Sequence, residues 1–289
     1  MDWLLSSIED WIKSGLIETI IGIYQDLFTS VNEKVGGIAL DVGQSPLDWN
    51  PAVFEMIRNL SITVVNPVAG LILTFVLTYE LINMVINKNN MHNGESFEIF
   101  KWVFKAFCSV YILTHSFDII IGVFALAQNV VNQSAGLAVD NLMLNSDIAV
   151  DTLRATLEAS SVWGLIFLSL EMNIVWLTLY AMSIVIFIII YGRMLEIYCV
   201  VSVAPIPLST MANHEWGQIG ANYLKALFAL AFQAFLIMVC VIIYAVLINT
   251  IPISDNLHIA VWSRLGFTAL LCRALFSTGS LSKSLFGAR

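Results

Sequence analysis

The sequence is poor in charged residues, proline, glycine and cysteine. Charged side chains make up 12% of its 289 residues, and 58% of the residues are apolar. Too few polar side chains exist to cover the surface of a water-soluble domain of this length. The 16 glycines and 6 prolines are spread along the chain, which excludes collagen-like and low-complexity classes. The composition is typical of a protein that crosses a membrane several times.

The net charge is negative, −8 at pH 7, and the basic residues are not clustered. Thirteen Lys and Arg stand against 21 Asp and Glu, with no basic block, so direct binding of nucleic acid through its phosphates has little electrostatic support. The four cysteines lie inside apolar runs without a CxxC or Cys/His ligand spacing, and we expect no metal or cofactor. Phosphate-loop, GxSxG and HExxH motifs are absent, so the sequence predicts a protein that is not an enzyme.

Long apolar runs predict an all-α membrane bundle of about five transmembrane helices. The predicted spans are residues 62–86, 102–131, 162–204, 221–251 and 259–276. THSFD at 114–118 leaves two alternatives for the second run, namely one helix or two helices that meet near His115. The third run exceeds one crossing, and a single long helix is favoured over two tight spans because turn residues are lacking.

The soluble segments complete a division into four parts. The first 30 residues show helical amphipathic spacing; packing on a partner or on the chain's own bundle is favoured over an interfacial anchor, because the polar face lacks Lys and Arg. Residues 29–55 are turn-rich and predict a linker. Asp147, Asp151, Arg154 and Glu158 share one face of a predicted short surface helix. The predicted parts are an extracytoplasmic helix and linker (1–61), two spans with a cytoplasmic loop at 87–101 (62–131), an extracytoplasmic loop (132–161), and three spans with a cytoplasmic tail (162–289).

Lys and Arg are denser on one side of these spans than on the other. By the positive-inside rule, this bias predicts an extracytoplasmic amino terminus and a cytoplasmic carboxyl terminus.

Ionisable and amide side chains within the apolar runs are the candidate functional residues. A polar group at membrane depth has a high free-energy cost, so such residues are often functional. His115 and Asp118, at i and i+3, fit a proton relay or pore lining, although a helix cap or a satisfied His–Asp pair is favoured. Glu80 fits ion coordination, with interfacial solvation favoured. Gln233, beside small residues, is expected to form interhelical hydrogen bonds rather than to contact a substrate.

A second group of candidates flanks the turn after the third span. Arg193 and Glu196 are spaced for an intrahelical ion pair or for contact with a cytoplasmic partner. Pro205 and Pro207 end the helix, and the chain re-enters the membrane between Trp216 and Lys225. We predict that this turn is a cytoplasmic elbow that docks partner subunits.

Several segments together resemble a known family. They are MIRNLSITVVNPVAGLILTFVLTYELI, FKWVFK, the run from FIIIYGRMLEIY through APIPLSTMANHEWGQIGANYLKALFALAFQAF, and TGSLSKSLF. The sequence is similar to the TrbL-type polytopic inner-membrane subunits of conjugative type IV secretion systems, in the short form found on integrative conjugative elements of Gram-positive bacteria.

This resemblance implies a non-enzymatic channel or scaffold subunit. It implies a homo-oligomeric ring in the cytoplasmic membrane, of five copies by similarity, associated with lipid, other secretion subunits and cytoplasmic ATPases. The expected cargo is single-stranded DNA with its bound relaxase. The alternatives are a small-solute permease and a holin-like or regulatory membrane protein.

Overall fold

The structure is a computed structural model, and it describes residues 2–87, 95–139, 153–250 and 257–288. Within these four ranges every regular element is a helix and no strand occurs. The predicted all-α class is confirmed.

Eleven helices are described. In the first half they are α1 (Asp2–Gly43), α2 (Pro46–Trp49), α3 (Pro51–Leu60), α4 (Asn66–Asn87), α5 (Glu95–Thr114) and α6 (Ser116–Val139). In the second half they are α7 (residues 153–158), α8 (Val162–Ser202), α9 (Pro205–Ser209), α10 (Gly217–Asn249) and α11 (Leu257–Leu285). A π-helical turn over Ser61–Val65 joins α3 to α4, and a 3-10 turn over Thr210–Ala212 follows α9.

Four helical segments of the described residues are long and apolar enough to cross a membrane. They are Pro51–Ile86, Val162–Ala212, Gly217–Ile248 and His258–Leu285. A fifth is the pair Ile99–Thr114 and Ser116–Ser134, which is bent by 68° at its break. The prediction of a multi-pass membrane protein is therefore confirmed, with four or five candidate spans.

The structure decides two alternatives that the sequence left open. The second apolar run forms two helices that meet at His115, and the third forms one continuous helix, α8. This helix ends at Ser202, shortly before Pro205, whose ring cannot donate a backbone hydrogen bond and clashes with the preceding turn.

The expectation of a linker was wrong. Residues 29–55, predicted as a linker, are helical except at 44–45 and 50, and residues 29–43 continue α1 to Gly43. The predicted cytoplasmic tail begins as a continuation of α11, which extends to Leu285. Glycine weakens a helix by about 1 kcal/mol per residue. Burial of Ile38 and Val42, which lie in the next turns after the Gly36–Gly37 pair, offsets that loss. Asp147 and Asp151 lie outside the described residues, and the boundaries of the four predicted parts stay predictions.

The chain divides into two compact units, and α6, α8, α10 and α11 each contribute several residues to both. Unit 1 comprises Met1–Val42, Asn132–Ile190 and Ile237–Ser277. Its core joins α1, α7, α8 and α11 through Ile20, Leu157, Met172 and Val261, among others. The amino-terminal helix therefore packs on the chain's own bundle.

Unit 2 comprises Gly43–Val131, Tyr191–Leu236 and Thr278–Arg289. Its larger core joins α3, α6, α8 and α10, and includes Phe54, Phe117, Met194 and Leu227. A smaller cluster joins α4, α5 and the 3-10 turn through Leu73, Leu113 and Ala212. Unit 2 holds all ten candidate functional residues predicted from the sequence.

Candidate functional site

The chain between α8 and α10 forms a compact elbow, defined here as residues 203–216. Asn213 ends its 3-10 turn, and its side-chain Oδ1 accepts hydrogen bonds from the backbone N–H groups of Glu215, at 2.7 Å, and Trp216, at 3.1 Å. An asparagine that bonds the backbone two and three residues ahead stabilises a turn locally. The elbow is therefore an ordered turn rather than a loose connection.

Glu80 of α4 ties the elbow to two other helices of unit 2. Its Oε1 accepts a hydrogen bond from Lys105 Nζ of α5 at 2.8 Å, and its Oε2 accepts one from Asn213 Nδ2 at 2.9 Å. Asn213 is only 2% exposed, so both ends of its amide are used inside the protein. The carboxylate that the sequence placed within the first span is thus satisfied by one cation and one amide.

Aromatic stacking reinforces the same contact. The ring of Trp216 stacks on Tyr79 with 5.3 Å between centroids and on Phe75 with 5.7 Å. Trp216 is half-buried by these contacts, whereas Lys225, two turns into α10, is exposed. Of the two residues predicted to mark the re-entry, Trp216 holds the elbow on α4 and Lys225 is exposed.

The start of α10 approaches the elbow so closely that it requires glycine. A Cβ atom built on Gly220 would lie 2.6 Å from the carbonyl oxygen of Pro207 and 2.2 Å from Cγ of Met211. Carbon atoms in proteins do not approach at these distances. The Pro205–Pro207 segment and the first turn of α10 are therefore in direct contact.

His115 and Asp118 do not pair with each other in the described geometry. The His115 ring stacks on Tyr111 at 4.4 Å, and its Nδ1 lies 3.1 Å from the carbonyl oxygen of Tyr111. Asp118 is exposed, and its Oδ1 lies 3.9 Å from Nη2 of Arg58. The histidine marks the bend between α5 and α6, and the aspartate faces outward beside α3.

Arg193 and Glu196 also have different surroundings. Glu196 accepts a contact from Lys283 Nζ of α11 at 3.3 Å. Arg193 is 6% exposed, and its Nε and Nη1 atoms have no hydrogen-bond partner among the described residues. The ionic contact of this segment therefore runs between helices, where the i, i+3 spacing predicted a pair within α8.

Gln233 lies in a seam between α10 and α11. Its amide donates a hydrogen bond to Thr278 Oγ1 at 3.4 Å and contacts Gly279. One turn away, Ser282 Oγ donates to the carbonyl oxygen of Ala229 at 2.5 Å. Small and hydroxyl-bearing residues let two apolar helices approach closely while their polar atoms are satisfied.

Arg264 and Glu171 of unit 1 make polar contacts that helical spacing does not predict. Arg264 of α11 is 5% exposed and lies over the ring of Tyr24 in α1, 4.9 Å from its centroid, with Nη2 3.2 Å from the hydroxyl. Glu171 of α8 accepts hydrogen bonds from the ring nitrogens of His258 and Trp262. Because the partners are 87 to 240 residues apart, no local spacing reveals these pairs.

Comparisons with known proteins give one match. Residues 31–205, more than half of the chain, match the family described as TrbL/VirB6 plasmid conjugal transfer like protein. None of the curated proteins and none of the solved structures matches the chain. The match ends at Pro205 and covers Glu80, His115, Asp118, Arg193 and Glu196. The chain belongs to the TrbL/VirB6 family, and it is a multi-pass membrane subunit of a type IV secretion system for conjugal transfer.

Proposed function

We propose that this chain is a non-enzymatic channel or scaffold subunit that assembles with copies of itself, in a ring of about five by analogy with the family, in the cytoplasmic membrane. The ring helps to pass single-stranded DNA with its bound relaxase, beside the ATPases and other subunits of the secretion system. Its amino terminus lies outside the cell and its carboxyl terminus in the cytoplasm, because Lys and Arg are denser on the side of the tail.

Several polar side chains of the apolar helices are used in contacts within the chain. This supports a passage between copies of the chain rather than through one copy. Glu80 and Gln233 bond to side chains of neighbouring helices in unit 2, and Glu171 does so in unit 1. The cavities described in unit 1 measure about 160, 290 and 620 Å³ and lie open at its surface. A solute permease would present convergent polar groups in an enclosed pocket near the membrane centre.

The elbow supports a docking role because it is ordered by contacts within unit 2 and leaves polar and charged side chains exposed at its edge. Asn213 and Trp216 are held by α4, whereas His214, Glu215 and Lys225 are exposed. A preorganised turn that presents charged residues loses little conformational freedom when a partner binds. We propose that this edge contacts cytoplasmic subunits of the secretion system.

The oligomer is tested by single-particle imaging and mass measurement of the complex extracted in detergent, from cells that also produce the other secretion subunits. A closed ring of several copies with a central opening is expected. A chain that stays monomeric in the presence of those subunits would contradict the ring and favour the permease alternative.

The docking surface is tested with two substitutions that act differently. Lys225→Ala should lower the frequency of DNA transfer while membrane insertion and thermal stability stay unchanged. Trp216→Ala should lower both transfer and stability, because it removes the stacking on Tyr79 and Phe75. Gln218→Ala, an exposed change on the same face of α10 two turns before Lys225, is the matched control. Normal transfer in both variants would contradict the docking role.

A further inference from the structure

The depth of unit 1 in the membrane follows from the charges of α8. This helix carries Glu171 and Arg193, and the residues between them, 172–192, are free of Asp, Glu, Lys and Arg. At 1.5 Å per residue this stretch is about 30 Å long, the thickness of the hydrocarbon core of a bilayer. We therefore take residues 172–192 as the part of α8 that crosses the hydrocarbon.

Helix α11 runs beside this part of α8 in the same direction. His258 contacts Glu171, and fourteen residues further along, Cys272 Sγ lies 3.8 Å from the carbonyl oxygen of Met182. Arg264 lies between these two contacts on α11 and is therefore well inside the hydrocarbon core. An arginine at that depth needs a protein partner or water.

The contact between Tyr24 of α1 and Arg264 places this part of α1 at the same depth as Arg264. Tyr24 contacts the Arg264 guanidinium through both its ring and its hydroxyl. Further along, Ile38 and Asp41 of α1 line a cavity of about 160 Å³ together with Ser183 and Ile190 of α8. Both contacts follow the same chain order, so α1 descends alongside α8, although α1 is not among the candidate spans of the described residues.

Two sides of α1 differ in character at this depth. Ile20, Ile21 and Tyr24 are buried in the core of unit 1. Gln25 and Asp26, which directly follow Tyr24, are exposed. A carboxylate in direct contact with acyl chains is energetically costly. Ionisable side chains in membrane proteins therefore almost always face a bundle interior or a water-filled cavity.

We propose that α1 is embedded in the membrane and that its Gln25–Asp26 side lines a water-filled lumen bounded by copies of this chain. The proposal rests on the ring of the proposed function and adds the identity of a lumen-lining helix. An acidic lining repels the DNA backbone, so a polyanion would pass without binding to the wall.

Cysteine accessibility in native membranes, with the other secretion subunits present, tests the proposal. Asp26→Cys is introduced into a chain whose Cys108, Cys199, Cys240 and Cys272 are replaced by alanine, and it is labelled with a charged, membrane-impermeant thiol reagent. Leu177→Cys, on the 62% exposed position of α8 at a similar depth, is the matched lipid-facing control. Asp26→Cys is expected to react at least about tenfold faster than Leu177→Cys, because hydrocarbon excludes a charged reagent.

The outcomes separate the inference from the proposed function. Fast labelling at both positions would overturn the inference, because unit 1 would then lie outside the hydrocarbon. Slow labelling of Asp26→Cys, at the rate of Leu177→Cys, would overturn it as well, because Asp26 would then face no water. Each variant is also treated with a chemical cross-linker. Fast labelling of Asp26→Cys in a chain that does not cross-link to a second copy would overturn the ring, and with it the lumen, but would retain an aqueous face on α1. Transfer frequency is recorded for each variant, and a variant that transfers DNA normally is assembled correctly.

Discussion

The side-chain amide of Asn213 donates a hydrogen bond to Oε2 of Glu80 at 2.9 Å, across 133 residues of sequence. Asn213→Asp replaces this donor with a carboxylate that would lie against the carboxylate of Glu80. We expect a loss of about 1–3 kcal/mol in the free energy of unfolding, since a buried acceptor loses its donor and gains a like charge. Thermal unfolding of the detergent-purified chain, together with transfer frequency, measures the effect.

Asn222→Asp is the control for this change. Asn222 is exposed, and its Oδ1 accepts a hydrogen bond from Gln218, which an aspartate would retain. Its stability should stay within about 0.5 kcal/mol of the original chain. Equal stability of the two variants would show that the Glu80–Asn213 contact does not hold the elbow.

The contact between Gly220 and Pro207 gives a second prediction. Gly220→Ala should destabilise the protein by about 1–3 kcal/mol, because its Cβ has no room between helix α10 and the elbow. Gly192→Ala, at an exposed helical position with no atom within 4 Å of the added Cβ, should instead be neutral or stabilising by about 0.5–1 kcal/mol. Melting temperatures that shift in the same direction for both variants would contradict this contact.

The seam between α10 and α11 gives a third prediction. Ser282→Ala removes the hydrogen bond to Ala229 and should cost about 0.6 kcal/mol, the average for an interhelical hydrogen bond in a membrane protein. Ser284→Ala, two residues along and exposed, should leave the stability unchanged. Unfolding in mixed detergent micelles, with increasing denaturing detergent, resolves the difference. A larger effect at Ser284 than at Ser282 would argue against the seam.

The contact between Tyr24 and Arg264 gives a fourth prediction. Tyr24→Phe removes the hydroxyl but keeps the ring under the guanidinium, and it should cost about 1 kcal/mol. Tyr24→Leu also removes the cation–π contact and should cost about 1–2 kcal/mol more. Phe167→Leu, on a 70% exposed residue of α8, is the control for loss of an aromatic ring. Thermal stabilities that are equal for the Phe and Leu variants would show that the ring does not stabilise Arg264.

Much of the fold was predictable because the sequence encodes it locally. The apolar runs place four spans directly, and the Pro205–Pro207 pair predicts the end of α8 within a few residues. His115 illustrates the limit of this reasoning, since THSFD fits a continuous helix as well as two helices. The 68° bend at that position depends on packing that local sequence does not encode.

The candidate residues were predictable as residue types, but their partners were not. The sequence singled out Glu80, Arg193 and Glu196 because ionisable groups at membrane depth need a partner. Helical spacing favoured an Arg193–Glu196 pair, yet Glu196 contacts Lys283 of α11. Asn213, the donor to Glu80, was overlooked, although an asparagine after a short helical turn is typical of the backbone-bonded turn it forms.

The sequence by itself determined the class of this protein, namely an all-α chain with several membrane spans, because hydrophobic run length and helix-breaking prolines act through neighbouring residues. Its resemblance to the TrbL/VirB6 family was also readable from its segments, and the family match over residues 31–205 confirms it. The tertiary structure decided that α1 continues past Gly37, that Glu80 holds the elbow, and that Tyr24 meets Arg264. These contacts join residues far apart in the chain, and they stabilise the protein only once the helices have packed.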